Sequence, residues 1–434
     1  MLGPSRILGL GGAYAGLAEG VDGVNANIAT PGVRAAFSGR HVDYDLTASV
    51  SLPGSFASTD FENRGSFASR GEANASDFIY GNAGFLLQWG PFGTALTIDA
   101  TSYKLQSPLG NATSVGLVRA HAIVAWAFLK YQLVVGIGVQ GTTLSLSSAS
   151  FFGSPLPLPA APSGVAPEAG VLLKLDDQPW RLGVSAHAPV SGGVSNAGST
   201  TGSAFVFPSS VVLPGQITIG FALQLGPRPL NPKWQDPKDD LDPLRARIDK
   251  ERDERARVYS AELATIPDGP LRKTRQRELD AREHAIRRVE DARMDAEEKK
   301  IHAELDARFM NWPRPRLLVV ADAVITAPVG NAVAVSSFLD QKNEPYGGSW
   351  TVSPRLGLEG EPVINWVKLR LGTYLEPSLF DGGSARQHFT FGGDLKLFSW
   401  NFFGVLDPTT WQISFATDLA PRYTNWGISL GVWR

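Results

Sequence analysis

The chain has 434 residues with 46 Gly, 30 Pro, no Cys and a formal net charge of −2. Balanced charge gives no footprint for nucleic acid, and the missing thiols exclude disulfides, thiolate metal sites and a cysteine nucleophile. No run of about 18 apolar residues is present, which excludes membrane-spanning helices but not spanning strands, whose lipid-facing and lumen-facing residues alternate and average out. The opening Met1-Leu2-Gly3-Pro4-Ser5-Arg6 has no basic stretch leading into an apolar one, so an export signal is expected upstream or already removed.

The first element is the glycine-rich run from Gly9 to Val33. It is small and apolar, with too few large side chains for a core of its own, so it becomes ordered only inside a cavity that the rest supplies. Glycine makes that ordering costly, and the segment is expected to be held loosely. Period-two strands follow. Ile217, Ile219, Phe221, Leu223 and Leu225 alternate with Gln216, Thr218, Gly220, Ala222 and Gln224, and Trp426, Ile428, Leu430 and Val432 alternate with Gly427, Ser429 and Gly431. Such runs predict strands near 43–52, 77–89, 93–105, 113–128, 131–146, 168–176, 181–190, 214–225, 316–326, 350–360, 364–375, 387–397, 410–419 and 424–433. Connections alternate short and long along most of the chain. With both termini on the short-turn, periplasmic side, about fourteen strands close an all-β membrane barrel, and an even count is usual for such barrels.

The segment 229–315 differs in kind. It is densely and evenly charged, and Pro267-Asp268-Gly269-Pro270 divides it into two helices. Leu244, Ile248, Ala256, Tyr259 and Leu263 on the first, with Leu279, Ile286, Val289, Ala296, Leu305 and Phe309 on the second, mark a loose seam for a helical hairpin. Strand parity hangs it in the periplasm. The chain thus divides into a plug (1–42), strands one to eight (43–228), the hairpin (229–315) and strands nine to fourteen (316–434).

Site chemistry is sparse. Gly136-Ile137-Gly138-Val139-Gln140-Gly141 spells a dinucleotide fingerprint but continues as strand instead of opening a helix. His121, His187 and His388 fall on lumen-facing positions with Asp99, Arg119, Lys174, Asp322, Arg355, Lys368, Arg370, Asp394 and Lys396. No spacing among them singles out a metal site or a nucleophile, so no cofactor and no enzymatic activity are expected. The apolar outward loop around Phe151, Phe152, Leu156 and Leu158 reads as a ligand-gathering patch. In the fifth strand Leu144 and Leu146 fall opposite Leu133, Val135, Ile137 and Val139. Either a bulge at Gly141 resets the register, or those leucines line an apolar luminal site.

Gly12-Ala13-Tyr14-Ala15-Gly16-Leu17-Ala18-Glu19-Gly20 followed by Asn27-Ile28-Ala29-Thr30 resembles the start of the FadL/TodX (OMPP1) family of outer-membrane transporters. Ile28 stands where that family has proline, with a prolyl bend at Pro31-Gly32 instead. Trp180-Arg181-Leu182-Gly183, Leu213-Pro214-Gly215-Gln216 and Leu369-Arg370-Leu371-Gly372 are similar to its recurring strand openings. The resemblance implies a luminal plug carried by Gly11, Gly12, Ala13, Gly16, Asn27, Ala29, Pro31 and Gly32. It implies passive uptake of hydrophobic molecules, of the long-chain fatty acid or aromatic hydrocarbon class, across the Gram-negative outer membrane, amid lipid bilayer and lipopolysaccharide. The family has a short turn where this chain has its hairpin. A second reading is therefore an outer-membrane scaffold whose hairpin recruits a periplasmic protein.

Overall fold

A computed structural model describes residues 3–35, 38, 40–53, 60–64, 74–106, 112–149, 162–193, 208–313, 315–339, 342–400 and 409–433. The chain forms two compact units, one holding the N-terminal segment and the sheet, the other centred on 233–312.

In the first unit, fourteen antiparallel strands close into a barrel. They are β1 (Val42–Ser51), β2 (Asn74–Trp89), β3 (Phe92–Gln106), β4 (Ala112–Phe128), β5 (Leu133–Ala149), β6 (Ser163–Leu173), β7 (Trp180–His187), β10 (Gln216–Leu225), β11 (Leu317–Thr326), β12 (Thr351–Val363), β13 (Val367–Glu376), β14 (Arg386–Trp400), β15 (Thr409–Ala420) and β16 (Tyr423–Val432). β1 closes on β16 from Thr47 opposite Gly431 to Ser51 opposite Gly427. Within 191–213, expected to be plain loop, β8 (Val190–Gly193) and β9 (Ser210–Leu213) pair as a separate ribbon. The two-residue turn between β15 and β16 is the exception to long connections at its end of the barrel.

The faces are inverted relative to a water-soluble protein. On β3 the large apolar Leu96 and Ile98 are 59% and 49% exposed, whereas Thr97 and Asp99 between them are 1% and 3% exposed. The same inversion recurs around the wall, with Glu168, Arg370 and Asp418 buried inside and Ile137, Phe221 and Phe415 exposed outside. Lipid is the solvent that suits such a surface. Phe221→Arg should therefore impair barrel assembly, since a lipid-facing Arg near the midplane costs about 2–4 kcal/mol. Thr218→Arg, aimed at the lumen, should be tolerated. Heat-modifiable gel migration separates the two, and equal behaviour would contradict the orientation of β10.

No bulge resets β5. Its pairing with β4 runs without a shift from Ala112 opposite Ala149 to Phe128 opposite Leu133. Leu144 is inward on a regular strand, buried with Val115 and flanked by Tyr103, Val211 and Val335.

The second unit is a helical hairpin, α2 (Pro237–Ala264) and α3 (Pro270–Met310). Asp236 caps α2, its carboxylate accepting from Lys238 N at 3.0 Å, and Pro237 occupies the first turn where no amide partner is needed. The run before β1 joins this unit: His41 Nδ1 lies 2.8 Å from Asp236 Oδ2, and Trp234 Nε1 donates to the carbonyl of Ser38 at 3.1 Å. Beyond the first turn of α2, half-buried or buried positions fall at 241, 244, 248, 252, 255, 259 and 263, with 262 beside the last, and on α3, as far as 301, at 272, 275, 279, 283, 286, 290, 294, 297 and 301. This three-four-four spacing is an eleven-residue repeat, at about 3.67 residues per turn the period of a right-handed supercoil and not of a heptad coiled coil. Ala256, Val289 and Ala296, assigned to the seam from sequence, are exposed instead, and the side chain of Phe309 lies outside the described residues. The middle of the seam is ionic, with Arg252–Glu290 at 2.8 Å, Arg255–Glu283 at 3.0 Å and Arg275–Glu262 at 2.6 Å, so apolar residues do not mark it.

Candidate functional site: a plugged lumen beneath an apolar cavity

The N-terminal segment lies inside the barrel and follows the wall for most of its circumference. A short helix, α1 (Ser5–Gly9), opens it, and Gly11 and Gly12 then turn the chain with φ of +63° and +77°, a conformation that costs glycine least. Close approach is possible because glycine stands on the wall, on the plug or on both at the tightest contacts between the two backbones. A Cβ on Gly357 would stand 2.5 Å from the carbonyl oxygen of Leu10, and one on Gly16 would stand 2.6 Å from the amide of Phe221. Gly183 and Gly136 leave room in the same way for the carbonyls of Ala15 and Ile28, and Gly93 for that of Pro31.

Wall side chains then satisfy the buried plug backbone, which has no water to bond to. Asp322 accepts from the amides of Tyr14 and Ala15 at 2.8 and 2.9 Å. Arg355 donates to the carbonyl of Gly12 at 3.2 Å, Arg181 to Leu17 at 2.7 Å, and Gln88 to Pro31 and Val33 at 2.9 and 2.8 Å. Asn27 folds the plug on itself, donating to Ala15 O at 2.9 Å and to Val171 O of β6 at 3.2 Å, while its Oδ1 accepts from Ala29 N at 2.9 Å. Ala13 and Ala29 are fully buried, and Gly32 sits against Val134 of β5. All eight residues attributed to the plug motif thus lie in the lumen. Asp322, Arg355, Arg181 and Gln88, its anchors on the wall, are between 55 and 343 residues away in sequence, and a local reading of 9–33 does not contain them.

A charge hub fastens the N-terminal end. Glu359 is fully buried and accepts from Arg6 at 3.1 Å, Arg370 at 2.6 Å and Arg316 at 2.5 Å, and Arg370 is paired in turn with Asp394. Lys368 and Lys396 lie over the ring of Trp433 at 4.1 and 6.0 Å. Elsewhere in the lumen Asp99 pairs with Arg119 at 2.8 Å and His121 with Glu168 at 2.9 Å. His187 faces the lumen half-buried, Lys174 is buried, and His388 stacks on Tyr374 and lies 2.8 Å from Asp418. These groups interlock the wall with itself and with the plug.

At the long-loop end, a cavity of 730 Å³ opens among Leu144, residues 208–214 and residues 326–338. Its volume lies within the roughly 300–1,000 Å³ of small-molecule sites. Leu213, Val333, Val335 and Phe338 make it apolar, and Glu62 reaches it from the connection between β1 and β2. Leu144 lines it. Phe151, Phe152, Leu156 and Leu158 lie outside the described residues, as does the side chain of Leu146. Residues 60–64 form a strap across this end. Phe61 packs on Phe78 with ring centroids 4.2 Å apart, and Asp60 N bonds the carbonyl of Arg422 at 2.9 Å. Sequence reasoning missed Glu62 and the 326–338 wall, which carry no periodicity.

The outer face carries a second concavity of 1090 Å³, lined by outward-facing Leu96, Ile137 and Ile217 with the small Ala122, Ala169 and Ala186 between them. Ala327 borders both spaces, and Gly215 of the groove adjoins Pro214 of the cavity. The two meet where Ala327 N bonds Gly215 O at 2.9 Å, beyond the ends of β10 and β11.

No protein-family model matches the chain, and no curated protein matches its sequence. Among solved structures it is similar to a FadL homologue from Pseudomonas aeruginosa, with 10% identity, a TM-score of 0.53, and coverage of 99% of this chain and 97% of that one. It is similar too to a deletion mutant of the TodX monoaromatic hydrocarbon channel, with 12% identity, a TM-score of 0.50, and coverage of 99% and 97%. In fold, this chain is a FadL-like barrel of fourteen antiparallel strands whose lumen holds its own N-terminal segment.

Proposed function

We propose that the chain is a FadL/TodX-type channel for passive passage of hydrophobic molecules across the outer membrane. A molecule enters the apolar cavity from the loop end and leaves sideways toward the lipid-facing groove. The observation that carries this reading is the shared border at Ala327. The plug below is fixed by buried hydrogen bonds, and the lumen around it is densely charged, so a greasy solute finds its low-cost path through the wall. The name of one of the two similar structures, a monoaromatic hydrocarbon channel, supports a hydrophobic substrate class.

The test is transfer of an environment-sensitive hydrophobic probe into liposomes that carry the protein. Ala327→Trp should slow transfer about tenfold, the effect of roughly 1.4 kcal/mol on a barrier, while leaving plug and barrel intact. Transfer at the unmodified rate would remove the wall route.

A further inference from the structure

Resting on the cavity's proposed role as ligand site, we infer that it selects uncharged, hydroxyl-bearing apolar molecules over fatty-acid anions, with Glu62 as the specificity-determining residue. Glu62 is the one ionisable carboxylate among the described lining residues, which include no Lys, Arg or His. Its side chain is 18% exposed. Ser336 bonds it through both hydroxyl and amide, the amide at 3.4 Å.

The nearest guanidinium, Arg64, is shared between Glu62 and other partners. It pairs with Glu344 at 2.9 Å and donates to the hydroxyls of Ser336 and Ser337 at 2.6 and 3.0 Å. Its plane lies over the ring of Phe380, 4.6 Å from the centroid, and it stands 3.7 Å from Glu62. Glu62 is the charged group among the described lining residues, with Asp60 adding to the negative field at its carboxylate and Arg64 opposing it. A ligand carboxylate brought into this largely apolar space meets the like charge of Glu62, with no Lys, Arg or His among the described lining residues, and repulsion of the wrong ligand is an effective source of specificity. A hydroxyl instead donates to Glu62 and leaves no buried polar group unmet. Burial holds the Glu62 carboxyl above its ordinary range, opposed by Ser336 and Arg64, so the preference is read at alkaline pH, where both Glu62 and a fatty acid are ionised.

The experiment compares 1-hexadecanol, palmitate and hexadecane as competitors for a fluorescent apolar probe on the full chain in nanodiscs at pH 8. Hexadecanol should bind at least tenfold more tightly than palmitate and more tightly than hexadecane. Glu62→Gln should shrink the alcohol-over-palmitate ratio to near unity. Glu344→Gln, in the same network but outside the lining, reports whether disturbing the strap has that effect by itself. Palmitate binding as tightly as hexadecanol overturns the inference, as does a ratio untouched by Glu62→Gln or equally lost in Glu344→Gln. If none of the three displaces the probe, the cavity is not a ligand site, and the broader reading falls with it.

Discussion

Leucine at Gly16 should unseat the plug. A side chain there collides with backbone, at 2.6 Å from Phe221 N and 2.7 Å from Gly220 C, and backbone in a paired strand cannot swing aside. The segment must lift, and the two bonds from Tyr14 N and Ala15 N to Asp322 are the first to break. Each is a hydrogen bond to a charged group, at roughly 1.5–3 kcal/mol, so the seating weakens by about 3–6 kcal/mol. The strands themselves keep every ladder bond, so the barrel should still assemble and migrate as a folded species. The expected result is a leaky barrel. Planar-bilayer recordings should show steady ion conductance where the parent shows none, and residues 9–33 should become sensitive to protease. Leucine at Gly183, which faces the carbonyl of Ala15 from the wall side, should give the same phenotype. A closed variant would mean that the plug is seated by something other than these close contacts.

Removing the charge of Glu359 should be the most destabilising change at the turn end of the lumen. Glu359→Leu leaves Arg6, Arg316 and Arg370 facing one another around a site with no exposure. Breaking a buried ionic network by deleting one partner typically costs about 3–5 kcal/mol, because the remaining charges stay buried and uncompensated. The sign of the follow-up is specific. Arg6→Met added to Glu359→Leu should recover part of the loss, since it removes one of the stranded charges. Urea unfolding followed by heat-modifiability measures both. If the double variant is less stable than the single, the hub is held by packing and not by charge balance.

Much of the architecture was legible because a membrane wall imposes period two on every strand. Each of the fourteen expected strands corresponds to one in the barrel, with ends displaced by only a few residues in most cases, as at 350–360 against Thr351–Val363. The hairpin was legible from charge density and from the prolines that end its helices. What was not legible depends on partners distant in sequence. Asp322 is 308 residues from Tyr14, and Glu359 is 353 from Arg6. Alternation places both carboxylates in the lumen without saying what they hold. The plug's glycines were conspicuous, but their meaning lies in the matching glycines of the wall, such as Gly183 and Gly357, which read alone as weak strand positions. Leu144 was recognised as out of phase. The choice between a bulge and an inward apolar site needed the β4–β5 register, which keeps its step throughout.

On the proposed route the plug stays still while ligand leaves through the wall. A reversible staple tests it directly, in a chain with no native cysteine. A Cβ built on Gly32 would lie 2.5 Å from Val134 Cγ1, so the two β carbons are at most about 4 Å apart, within reach of a disulfide. The double variant Gly32→Cys/Val134→Cys, oxidised, ties the plug to β5. Transfer of the hydrophobic probe should then proceed at the same rate before and after reduction with dithiothreitol. Transfer that stops on oxidation and returns on reduction would contradict the account and make the plug the moving part.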